Sequence, residues 1–183
     1  MAAILYNQGC ARNPDRSGSR QDQSANAITP RNYPNLKLQA TQLSEATLRG
    51  DYATAERLTY PKLIEVMGGS RLFRESITAA MKELEASGVK IESLSVGEPR
   101  DFLEADQSIY AIVPTTTKMK VAEGILVGES ALIGISDDKG INWTFVDSAG
   151  ASDKELRKAL FPSVAEKLRI PERKRPVLQK EPT

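Results

Sequence analysis

A single change of hydrophobic period, at Gly88-Val89, most constrains what this chain can fold into. Before it, apolar residues recur at spacings of three and four; after it, they alternate. Helical spacing turns one stripe of a helix toward a core, and alternation turns one face of a strand there. The order is therefore helices first and then a meandering, mostly antiparallel sheet, which is the α+β class.

Within the helical part, Leu36, Ala40, Leu43 and Thr47 share one face of a first helix that Gly50 closes. Asp51 is placed to cap a second short helix with Tyr52, Ala55 and Leu58 inward. Pro61 suits the first turn of a third piece carrying Leu63, Ile64 and Met67, ended by Gly68-Gly69. Ser70 is expected to cap a fourth helix, whose inward residues would be Phe73, Ile77, Ala80 and Leu84.

The alternating part begins with a strand from Val89 to Val96, broken by Gly97-Glu98-Pro99 and a polar turn. A long strand then runs from Ile109 to Val121, and Pro114 within it argues for an edge position or a bulge. Glu123-Gly124 turns the chain into Ile125–Ser136, where Gly128 and Gly134 are expected to permit bending. Asp137-Asp138-Lys139-Gly140 reads as a hairpin turn, Asn142–Val146 as the returning strand, and Asp153–Leu160 as a last short helix.

What is missing limits the chemistry. The 183 residues include no histidine and one cysteine. Histidine-based nucleophilic and general-base systems, histidine-ligated zinc and internal disulfides are therefore excluded. No metal site and no cofactor are expected. Residues 1–34 carry four Arg against two Asp, residues 35–152 twelve basic against 17 acidic residues, and residues 153–183 nine against five. The expected organisation is a disordered segment 1–34, an α+β domain 35–163 and a basic, Pro-containing tail 164–183. No aromatic residue follows Phe161, so the stacking half of a nucleic-acid site is absent and no nucleic-acid partner is expected. No apolar run reaches the length of a membrane span. Ala2–Tyr6 is too short for a signal-peptide core and Asn7-Gln8-Gly9 does not suit a lipoprotein site at Cys10, so the chain as written is expected in the cytoplasm; a misassigned start would change that.

The run Gly50-Asp51-Tyr52, Leu58-Thr59-Tyr60-Pro61, Met67-Gly68-Gly69 and Ile77, with Trp143-Thr144-Phe145-Val146-Asp147 later, resembles the NTF2-like (SnoaL-like) cone fold over roughly residues 36–150. The nearest resemblance is to uncharacterised bacterial members. It implies helices packed on a curved sheet around a cavity, and a homodimer formed through the sheet face. Catalytic members often carry Asp after the Tyr-Pro turn, where this chain has Lys62. That departure weakens an isomerase or dehydratase reading.

Ser136-Asp137-Asp138-Lys139-Gly140-Ile141-Asn142-Trp143 fits a hairpin pattern in which Ser and Asp side chains bond the turn and Trp anchors it. Candidate pocket residues are Tyr60, Met67, Tyr110, Glu129, Trp143 and Asp147. Glu129 shares its alternation with Val127, Ala131, Ile133 and Ile135. Burial with them would raise its pKa and make it a general acid or base; a bend at Gly128, or pairing with Lys118 or Lys120, would instead leave it a solvated charge. The leading expectation is a non-enzymatic module taking a small apolar or amphipathic ligand or mediating dimerisation. The alternative is a histidine-free isomerase or hydratase using Glu129 or Asp147 with Tyr110 as donor.

Overall fold

The computed structural model describes residues 33–171 and 174–179. The expected disorder of the N-terminal segment falls almost wholly outside them, as do Cys10 and Pro182. The described residues form α1 (Pro34–Arg49), α2 (Tyr52–Leu58), α3 (Pro61–Val66), α4 (Ser70–Ala86), β1 (Lys90–Val96), β2 (Arg100–Ala105), β3 (Ser108–Val121), β4 (Gly124–Ser136), β5 (Thr144–Asp147), α5 (Lys154–Leu160) and β6 (Val177–Gln179). No helix among them is long and apolar enough to cross a membrane.

Local chemistry explains most boundaries. Gly50 ends α1 in the left-handed region at φ 70°, and its N–H donates to the Ala46 and Thr47 carbonyls. The Asp51 carboxylate accepts from Thr54 N–H, and that of Asp153 from Leu156 N–H, which start α2 and α5. Pro61 opens α3, where its missing N–H costs nothing. Ser70 is not a cap: Gly69 holds that position at φ 94° and Ser70 is the first helical residue.

The sheet is antiparallel and built on two long central strands. β3 and β4 pair without interruption from Ile109↔Ser136 to Val121↔Gly124. The outer edge of β3 is shared by β1, from Lys90↔Lys120 to Val96↔Thr115, and by β2, from Arg100↔Ile112 to Ala105↔Ser108. The outer edge of β4 is shared in the same way by β5, at Leu132–Ile135, and by β6, at Ile125–Val127.

This arrangement corrects two expectations, on Pro114 and on Arg100–Ala105. Pro114 lies in a central strand rather than at an edge or bulge. It sits in the gap between the ends of β1 and β2, where no neighbour needs its N–H, and its carbonyl accepts from Gly97 N–H at 2.8 Å. Neither Gly128 nor Gly134 interrupts the β3–β4 register. Gly134 makes room for α1, since a Cβ there would lie 2.9 Å from Leu36 Cδ1. Finally, Arg100–Ala105, expected as a polar turn, is β2; Asp101 takes φ 53° and the pairing slips between Arg100 and Leu103.

Alternation along β3 and β4 gives the sheet two apolar faces. Ile109, Ala111, Val113 and Leu132 pack with Leu36, Ala40, Leu58, Trp143 and Phe145 beneath α1 and α2. On the other face Tyr110, Ile112, Ala131, Ile133 and Ile135 pack with Leu160, Phe161, Val164 and Leu168. The chain passes from one face to the other beside β5, where Tyr60 N–H donates to the Phe145 carbonyl at 3.0 Å. Val164 and Leu168, assigned to the tail by sequence, are buried in this second core, which Ile170 also joins, and Ala165 is buried beside them in sequence. Residues 161–168 are held in turns by the Ala165 N–H to Phe161 and Leu168 N–H to Val164 bonds.

Candidate ligand groove

The helix α4 carries an apolar stripe, Phe73, Ile77, Met81 and Leu84, of which only Phe73 is buried. Its neighbours are α2 and α3. Ala80, expected inward, is exposed, because the spacing of four from Ile77 to Met81 carries the stripe past it. The C-terminal half of α4 therefore stands beside the end of α1 and the start of β1 with its apolar residues half-exposed. Between these elements runs a groove of about 710 Å³.

Leu48, Tyr52, Met81, Leu84, Val89 and Ile91 form its half-buried apolar lining. Arg49, Lys82 and Glu85 stand exposed at its rim. The turns at Gly50 and Gly88, both at positive φ, end the two helices on either side of it. It is larger than two other clefts of the fold, of about 310 Å³ and 510 Å³. An apolar lining with charges confined to the rim suits a ligand with an apolar body.

None of the six candidate residues lines this groove. Tyr60 and Tyr110 come together across Phe161, with ring centroids 5.9 Å and 6.1 Å from it. Burial pushes both phenols above their ordinary pKa, and each is raised further by the charge of Asp137. Trp143 lies on the opposite face, fully buried, its indole N–H donating to the Gly140 carbonyl at 3.0 Å. Met67 ends α3 half-exposed. The Asp147 carboxylate accepts from Ala149 N–H at 2.7 Å and shapes the turn after β5.

Glu129 faces the side that alternation gave it, with Ala131 and Ile133, but it is not buried. The cover of residues 160–170 stops short of it, and its carboxylate accepts a hydrogen bond from Lys174 Nζ at 2.7 Å. Its pKa accordingly moves down, by the Lys174 hydrogen bond and charge, and not up. The partner is Lys174 rather than Lys118 or Lys120. Glu129 lines a smaller cleft of about 310 Å³ with Arg100, Thr116, Ser148 and Lys174.

The pairing register separates these groups. Glu129 is opposite Thr116, six residues along β3 from Tyr110, or about 20 Å. Asp147 is opposite Leu132, on the face away from Tyr110. Neither carboxylate shares a cavity with the tyrosine. The Ser136–Trp143 hairpin is structural as read: Asp138 Oδ1 accepts from Ser136 Oγ, Ile141 N–H and Asn142 N–H at 2.9, 3.1 and 2.9 Å. No grouping of His, Cys, Asp and Glu among the described residues could hold a metal ion.

The groove has a sequence signal, which is the α4 stripe continuing beyond Phe73 to Met81 and Leu84. That stripe reads as core because period alone does not tell whether anything covers it. Comparison with family models, with curated proteins and with solved structures finds no match for this chain.

Proposed function

We propose that this is an NTF2-like domain acting as a non-enzymatic binding module, which takes a small apolar or amphipathic ligand in the groove between α1, α4 and β1. The observation that carries the proposal is the half-exposed apolar wall of α4, with Met81 and Leu84 facing a cavity and only Phe73 buried. A helix that covers so little of its own stripe leaves apolar surface for something else to cover. The separation of Glu129 and Asp147 from Tyr110 favours binding over proton transfer.

Native mass spectrometry of the chain purified from its own source, beside the Met81→Arg variant, tests this. The expected result is a stoichiometric adduct in the natural chain that Met81→Arg removes. Neither a bare natural chain nor an adduct unaffected by the variant is compatible with the proposal. The sheet face expected to pair two copies is occupied over its aromatic half by residues 160–170 of the same chain.

A further inference from the structure

The outer edge of β4 ends in Ile125, Leu126 and Val127, three apolar residues without a charge or proline. Such an edge is adhesive, because its open N–H and C=O groups and apolar side chains template another strand. Here it is covered by β6, through Ile125↔Gln179, Leu126↔Leu178 and Val127↔Val177.

The cover is slight. All three residues of β6 are exposed, Val177 at 64% and Leu178 at 42%. Among the described residues the ladder is joined by the Lys174–Glu129 pair, whose side chains are 75% and 59% exposed, and Pro176 lies where a Cβ added at Gly128 would meet it at 3.8 Å. An ion pair that exposed contributes little. The outer side of β6 is in turn a poor template. It is three residues long and preceded by Lys174-Arg175-Pro176, the devices by which edge strands are kept from pairing.

We propose that β6 is a removable guard strand, and that the β4 edge beneath it is a surface through which a second copy of this chain associates. The edge is self-complementary. Two antiparallel copies related by a two-fold axis through Leu126 place Ile125 of each opposite Val127 of the other, so one apolar tripeptide satisfies both sides. An extended segment of another protein would need to supply that match from its own sequence.

The test uses the full chain with Val177→Pro and Leu178→Pro made separately. N–H groups of adjacent strand residues point to opposite edges, so one of the two substitutions must delete a bond to β4 while the other faces solvent. Light scattering over a dilution series measures self-association, with circular dichroism following the fold. The expected result is self-association about tenfold tighter than the natural chain in one proline variant, with the fold kept and with Leu126→Lys reversing it. Unchanged mass in both variants overturns the proposal. So does association that survives Leu126→Lys, and so does loss of the thermal transition in either variant, since a guard strand is dispensable to the core.

Discussion

Truncating Leu168 to alanine measures whether the C-terminal segment belongs to the fold. Leu168 is 6% exposed and packs among the residues that cover Tyr110, Ile112 and Ile133. Leu→Ala at a buried site removes the transfer free energy of the side chain and leaves a cavity, together about 2–5 kcal/mol. Leu168 lies toward the margin of this core, beside the half-buried Ile170, which can relax into the space. The lower part of that range, about 2–3 kcal/mol, is expected. For a domain of this size about 3 °C per kcal/mol applies, so the melting temperature should fall by about 6–9 °C. Leu178→Ala, at 42% exposure in β6, is the matched control and should change stability by less than about 0.5 kcal/mol. Urea unfolding of both variants at neutral pH gives the comparison. If Leu168→Ala falls within about 0.5 kcal/mol of the control, the burial reasoning is wrong and residues 161–170 do not share the core.

Two titrations test the buried and hydrogen-bonded groups of the fold. The Asn142 N–H bond, chiefly, holds the Asp138 carboxyl below its ordinary pKa, with Ser136, Ile141 and the Asn142 amide adding to it. A lowered folded pKa contributes stability that is present above the unfolded value, about 4, and lost as pH falls through the folded one. Asp138→Ala should therefore cost about 1–2 kcal/mol in urea unfolding at neutral pH, with the gap to the natural chain closing on acidification below about pH 4. Tyr60 and Tyr110 have raised pKa values through burial, so their neutral forms favour the folded state. Their contribution is complete below about pH 10 and lost above it as the unfolded phenols ionise. Phenolate absorbance should show these two ionising together with unfolding, and ordinary titration in both before the fold is lost would refute their burial.

What the sequence made legible was set by short-range chemistry. The cap at Asp51, the proline opening α3 and the left-handed turn at Gly50 depend on a few neighbouring residues, and each lies where the local pattern puts it. The order of helices and then sheet follows from the change of period. Ser70 and Ala80 were missed locally, by one residue at the start of α4 and by one step of its stripe; the other misses depend on a partner distant in sequence. Pro114 is tolerated because two separate strands share one edge of β3, a fact that neither flanking residue carries. Arg100–Ala105 reads as polar because its pairing with β3, and not its own alternation, makes it a strand. Glu129 was placed on the right face, but its exposure is decided by where residues 160–170 stop. The groove was missed for the converse reason: the stripe of α4 was visible, and the lack of a cover over Met81 and Leu84 was not.

The gap that accommodates Pro114 has a consequence for how the domain opens. Across the sheet, Pro114 pairs with Ala131, and on the far side of β4 the stretch between β6 and β5 falls at that same level. There the continuous β3–β4 ladder is supplemented on one edge by the Gly97 N–H to Pro114 carbonyl bond and on the other by Ser148, whose N–H donates to the Ala131 carbonyl and whose Oγ accepts from Ala131 N–H. The sheet thus has a waist. On one side lies the half packed from both faces around Ile112 and Ile133, and on the other the half carrying the groove wall and the guarded edge. The halves are joined by β3, β4 and α1, whose Leu36 and Ala40 pack in one and whose Leu48 lines the groove in the other, and halves packed to different extents open with different free energies. The proposed ligand groove and the proposed guard strand both fall in the outer half, away from the core around Ile112 and Ile133.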